Sequence, residues 1–167
     1  MAAVLLQEFN SAPSWTATAA LVACCDAPRW VATVRDGRPY PDLESVLDVA
    51  DKAARELGPG EVDRALGAHP RIGERPVGGG AEAEFSREEQ AGVAEDARLR
   101  QALLEGNRAY EERFDRVFLI CATGLSGEDV LAAIHQRLGN DERTEAAVVA
   151  EELRKIALLR LRKLLAR

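Results

Sequence analysis

The sequence predicts an all-α, single-domain bundle of about seven to eight helices, and three observations carry that prediction. Residues Asp42 to Leu57 place Leu43, Val46, Leu47, Ala50, Ala53 and Leu57 at three- and four-residue steps, the period of an amphipathic helix. The last stretch repeats the pattern with Val149, Leu153, Ile156, Arg160 and Leu164. The third observation is a shortage of strands. The apolar run Val117–Ala122 is the one candidate, and a lone strand has nothing to pair with.

In chain order, Ser14 to Ala23 reads as a short alanine-rich helix capped by Ser14. Asp26 is placed to cap a second helix that starts near Pro28, with Trp30 and Val31 as its core anchors. Gly37 and Pro39-Tyr40-Pro41 form a loop before the helix from Asp42, which Gly58-Pro59-Gly60 ends. Glu61 to Gly67 is a brief helix leading to His69, and Pro76 to Gly80 is a loop. Ser86 opens a helical region that bends near Gly92 to Asp96 and continues to Phe114. Leu99, Leu103, Asn107, Tyr110 and Phe114 share one of its faces. Periodicity leaves 117–122 open between a strand and a buried helical segment. Ser126-Gly127-Glu128-Asp129 has the form of a capping box for a helix to Leu138, closed by Gly139-Asn140, and the last helix begins near Asp141. There is no internal repeat and no low-complexity segment.

A chain of 167 residues can build one domain with a real core, here taken as residues 1–167. Its 47% hydrophobic and 30% charged content is that of a globular protein rather than a disordered one. A formal charge of −6 argues against nucleic acid or an anionic membrane as partner, and an anionic small molecule would need a local cation. No apolar run approaches membrane-spanning length. Glu8 behind a short apolar start, without a basic region, does not fit a secretory signal. Cys24 and Cys25 are adjacent and Cys121 is isolated, which is neither a disulfide framework nor a zinc spacing. The chain ends Leu164-Leu165-Ala166-Arg167 rather than on a peroxisomal Ser-Lys-Leu, and a cytoplasmic location is expected.

His69, one of two histidines, stands outside any helical period, and Pro70 turns it away from the α region. If the chain folds back across the glycine-rich connection, His69, Ser86, Glu89 and Gln90 converge. One imidazole, hydroxyl, carboxylate and amide suffice for proton transfer without a metal. Each has a plainer reading. A histidine at a helix end complements the dipole, and Ser86-x-x-Glu89 is also a capping box. As a first turn it would offer spare N–H groups to an anion or carbonyl. Arg160 falls in the middle of the apolar face of the last helix. It serves either an internal salt bridge, for instance to Glu89, or an anion held inside the bundle. Asn107 reads as a structural hydrogen-bonder and His135 as a surface residue. Gly78-Gly79-Gly80 lacks the Gly-Lys-Ser/Thr ending of a phosphate loop.

The run Ala68-His69-Pro70-Arg71-Ile72-Gly73 followed by Ser86-x-x-Glu89-Gln90-Ala91-Gly92 resembles the OHCU decarboxylase family. The resemblance continues through Asn107-x-x-Tyr110-x-x-x-Phe114, Phe118-Leu119-Ile120-Cys121-Ala122, Arg137-Leu138-x-Asn140 and Lys155-Ile156-x-x-x-Arg160-Leu161. Trp30 matches a position ahead of the His-Pro motif. Where the family has Phe-Gly-Phe-Pro-Phe, this chain has Phe114-Asp115-Arg116-Val117-Phe118. The resemblance implies an all-α homodimer without a cofactor that decarboxylates 2-oxo-4-hydroxy-4-carboxy-5-ureidoimidazoline to (S)-allantoin in urate degradation. It implies His69 as acid/base, oriented by Glu89, which would also favour the imidazolium. Pro70, Ser86 and Gln90 would bind the ring or ureido group, together with backbone from Phe118, Leu119, Ile120, Cys121 and Ala122. Arg160 would hold the anionic end. Two other readings stand beside it, a lyase or hydrolase acting on a related ureido or imidazoline acid and a non-catalytic helical interaction module.

Overall fold

The computed structural model describes residues 2–73, 80–91 and 96–166. Among these residues there are nine helices and no strand. They are α1 (Ala2–Ser11), α2 (Ser14–Cys24), α3 (Pro28–Asp36), α4 (Leu43–Arg55), α5 (Pro59–Leu66), α6 (Ala81–Glu89), α7 (Ala97–Phe114), α8 (Gly127–Arg137) and α9 (Glu142–Ala166). The chain forms two compact units, one from the segments up to Ala65 and from Leu153 onward, the other from Leu66 to Glu152.

In the first unit, α4 starts where Asp42 accepts the Ser45 N–H at 2.7 Å, and it buries Val46, Leu47, Ala50 and Ala53. Trp30 of α3 is fully buried and donates its Nε1–H to the Ala50 carbonyl at 3.0 Å, tying α3 to α4. The C-terminal part of α9 buries Leu153, Ile156, Leu161 and Leu165, and Arg154 reaches Asp51 of α4 at 2.6 Å.

Several expectations are corrected here. Ser14 is the first residue of α2 rather than its cap, because Pro13 takes the capping position. Asp26 caps nothing. The residue before Pro28 is Ala27, and Asp26 instead pairs with Arg64 at 3.6 Å. Pro59 begins α5 rather than only ending α4, as its fixed φ and missing N–H allow at a first helical position. The ninth helix is α1, which was not expected. Its C-terminus is satisfied from far along the chain. Arg38 donates to the Phe9 and Ala12 carbonyls at 2.7 and 2.8 Å, and Asn10 exchanges two 2.9 Å hydrogen bonds with the Tyr40 backbone.

The second unit is built around Leu103, Tyr110 and Phe114 of α7, Val130 and Ile134 of α8, and Ile72, Phe118, Ile120 and Ala122 from irregular segments. Gly106 allows α8 close to α7, since a Cβ there would lie 3.2 Å from the Ile134 side chain. Ser126 and Asp129 form the expected capping box of α8 at 3.0 and 3.1 Å. Residues 117–122 are neither strand nor helix but an irregular stretch. The expected loop at 76–80 and bend at 92–96 fall mostly outside the described residues.

Helix α6 differs most from expectation. It begins at Ala81, capped by Gly80, and ends at Glu89. Ser86 therefore lies inside the helix, and Glu89 in its last turn, so the two form no capping box and offer no N-terminal amides. Ala81-Glu82-Ala83-Glu84 are good helix formers with acidic residues suited to a first turn, which starts the helix five residues early.

Candidate active site

Helix α5 ends at Leu66, and the His69 N–H still reaches back to the Leu66 carbonyl at 3.0 Å before Pro70 prevents another turn. The half-buried imidazole thus leaves the helix end on a short loop. That loop is clamped at three successive residues. Arg71 forms a two-armed ion pair with Glu111 of α7, one arm at 3.0 Å. The Ile72 carbonyl accepts Asn107 Nδ2–H at 3.1 Å, and the Gly73 N–H donates to Gln90 Oε1 at 3.0 Å. Asn107 is the structural hydrogen-bonder that its place on an apolar face predicts.

Ser86 and Glu89 are 1% and 8% exposed, and with Gln90 they close the C-terminal half of α6. Ser86 Oγ stands 3.4 Å from Glu82, one turn back. Gln90 spends its Oε1 on Gly73, so the group left to present is the Nε2 donor. Ile72 packs in the same apolar cluster as Phe118, Ile120 and Ala122, which brings the histidine loop and the 118–122 segment onto one core. His69, Pro70, Ser86, Glu89, Gln90 and Phe118 to Ala122 all belong to the second compact unit.

Arg160 belongs to the first unit, where it is 1% exposed and donates from Nη1 to the Ala23 carbonyl at 3.1 Å. Its position inside an apolar face is therefore real. Burial pushes the Cys25 thiol up to about 12, and the opposing charge of Arg160 does not offset it, so Cys25 is an inert core residue. His135 is exposed, as expected.

A group that the sequence reading missed lies behind 118–122. Glu145 is fully buried and accepts from Tyr110 at 2.6 Å, from Arg137 Nε and Nη2 at 2.8 and 2.6 Å, and from Asn140 at 3.0 Å. Arg137 also donates from Nη1 to the Leu119 carbonyl at 2.7 Å and lies 4.3 Å from the centre of the Phe118 ring. Burial alone would raise the Glu145 pKa, but the donors from Arg137, Tyr110 and Asn140 together with the Arg137 charge bring it below its ordinary value.

Comparisons with known proteins bear on the family and the fold of the chain. A family model described as OHCU decarboxylase matches residues 10–162. The chain belongs to the OHCU decarboxylase family. It is 32% identical over 140 residues to 2-oxo-4-hydroxy-4-carboxy-5-ureidoimidazoline decarboxylase of Amia calva, covering 80% of this chain and 78% of that protein. Against the uric acid degradation bifunctional protein TTL of Arabidopsis thaliana it is 28% identical over 84% of its length. The chain spans 45% of that protein and 27% of a second bifunctional relative from Bacillus. A crystal structure of an OHCU decarboxylase in the presence of (S)-allantoin superposes with a TM-score of 0.75 at 25% identity, over 87% of this chain and 96% of the other. An (S)-allantoin synthase shares the fold at a TM-score of 0.70 and 17% identity, over 95% of this chain and 53% of the other.

The departure noted at 115 falls at the end of α7. Asp115 ends α7 with φ 53° and ψ 39°, the left-handed conformation for which the family's glycine is suited.

Proposed function

We propose that this chain decarboxylates 2-oxo-4-hydroxy-4-carboxy-5-ureidoimidazoline to (S)-allantoin in urate degradation, without a cofactor. The observation that carries the reading is the family match over 10–162, joined to a His69-Pro70 loop clamped against α6 and α7 in the folded chain. The Amia calva relative is named for this substrate, and the superposed decarboxylase was crystallised in the presence of (S)-allantoin.

The substrate carries hydroxyl and carboxylate on one ring carbon, beside a C=N bond. Breaking the carbon–carboxylate bond sends the electron pair toward that C=N, so the substrate is its own electron sink. His69 takes the hydroxyl proton as CO2 leaves and then helps deliver a proton to the ureido-bearing carbon. A donor fixed on one side protonates one face, which gives a single enantiomer. Glu89 orients His69. Pro70, Ser86 and the Gln90 Nε2 donor contact the ring or ureido group, alongside backbone of Phe118 to Ala122, and Arg160 binds the carboxylate. The enzyme acts in the cytoplasm as a homodimer on this anionic small molecule. Nucleic acid and membrane are not its partners, and no helix among the described residues is long and apolar enough to cross a bilayer.

The test uses substrate generated in situ from urate with the hydrolase step supplied, followed by circular dichroism at the allantoin band. The wild-type chain should give a fast optically active product, and His69→Ala should lose about 10²-fold or more of that rate. An unchanged rate in His69→Ala would overturn the role of His69. Formation no faster than spontaneous decay in the wild type would overturn the reaction itself.

A further inference from the structure

We propose that Arg137 is a positioning residue that sets the Ile120 N–H as a hydrogen-bond donor to the substrate; this rests on the reading of residues 118–122 given above. That stretch has no helix or ladder to fix its peptide planes, so its conformation must come from elsewhere. Arg137 provides it from α8. Two of its donors are engaged by Glu145, which is itself held by Tyr110 and Asn140. The third reaches the Leu119 carbonyl at 2.7 Å, and the guanidinium plane lies over Phe118. Tyr110 packs edge-on against the same Phe118 ring at 5.1 Å, closing the support.

The peptide geometry gives this support a direction. In a trans peptide the C=O and the following N–H point opposite ways. With the Leu119 carbonyl drawn to Arg137, the Ile120 N–H is turned away from the network. Among the described residues no backbone or side-chain acceptor takes that N–H, although Ile120 is a buried residue. A donor without a protein partner in a largely buried residue is open to a ligand oxygen. The chemistry it suits is a carbonyl or carboxylate oxygen, both of which the ureidoimidazoline carries. Lysine could not substitute for arginine here, because a single ammonium cannot span the Glu145 carboxylate and the Leu119 carbonyl in one planar fork.

The experiment compares the wild-type chain with Arg137→Lys and Arg137→Gln. It reads turnover, (S)-allantoin binding by calorimetry, and amide 1H–15N spectra with and without (S)-allantoin. The expected result is a folded Arg137→Lys chain whose KM and allantoin Kd rise about tenfold, the loss of one well-placed hydrogen bond. Its kcat should stay within about threefold, since the acid–base group is untouched. The Ile120 amide should shift with (S)-allantoin in the wild type and lose that response in the variant. A purely structural role would lower the melting temperature and leave this split unmoved. A folded variant with wild-type KM and Kd, or an Ile120 amide indifferent to (S)-allantoin in an active wild type, overturns the inference. Should Arg137→Gln not fold, Arg137→Lys decides alone, as it retains the charge facing Glu145. A wild-type chain that neither turns over nor binds overturns the proposed function and this inference together. Wild-type activity with an unaffected variant overturns this inference only.

Discussion

At the end of α7, Asp115 holds a left-handed backbone conformation with its N–H on the Glu111 carbonyl at 2.8 Å. There the Cβ of an L-residue crowds the following carbonyl oxygen, and glycine has no Cβ. Asp115→Gly should therefore stabilise the protein by about 1 kcal/mol, read as a higher urea midpoint at unchanged slope. A lower midpoint would show that the aspartate carboxylate contributes more than its backbone costs. At this scale the sequence is legible where a residue breaks a pattern. Arg160 interrupts an apolar face, Asn107 does the same, and both are buried with backbone carbonyls as partners. Arg137 and Glu145 are harder to see. Arg137 follows Val130 and Ile134 on the buried side of α8, and Glu145 precedes Val149 by one turn. Yet a basic residue in a last turn and an acidic one in a first turn are ordinary complements of the helix dipole, which masks their burial.

Among the elements, α8 and α6 show why the same short motif succeeds once and fails once. Ser126 and Asp129 are followed by the spaced apolar residues Val130 and Ile134, and nothing helical precedes them, so the box starts a helix. Ser126→Ala should cost about 1 kcal/mol, seen as a lower urea midpoint, while the fold and turnover persist. No loss would mean that the α8 start is held by packing alone. Ser86 and Glu89 have the same spacing, but Ala81 to Phe85 already form helix, and the box becomes an interior turn. The alanine–glutamate alternation that starts α6 carries no apolar period, so the pattern points too late in the chain. Helix α1 was hidden for a different reason. Its terminal carbonyls are satisfied by Arg38 from more than two dozen residues away, a long-range cause that no local window contains.

For the molecule as a whole, the carboxylates set the response to acid. Asp42, Asp129 and Asp141 are held low by the cap amides they accept, and Glu61 is brought to about 2, first by its hydrogen bond from Arg29. The three aspartates are exposed and Glu61 partly so, and water screens them. Glu145 is buried, so it should dominate. Folded, it binds a proton less readily than at its ordinary value of 4.5. Its contribution is therefore fully present above that value and is lost as the pH falls through the lower folded value. Glu145→Gln should lower the urea midpoint near neutrality, and the gap to the wild type should narrow on acidification below pH 4.5. A gap that stays constant with pH would assign the effect to packing rather than charge.

The path of the chain carries a consequence in time. The second unit is one uninterrupted segment, Leu66 to Glu152, whereas the first needs both the opening residues and those from Leu153 onward. The Arg154–Asp51 and Arg160–Ala23 hydrogen bonds close loops of 103 and 137 residues. As the chain leaves the ribosome, the early helices emerge first, yet they cannot complete their core until the end of α9 has been made. The segment that holds His69 has all its own residues before then. Synthesis order and folding order thus run opposite ways in this protein, and the half made first must wait longest.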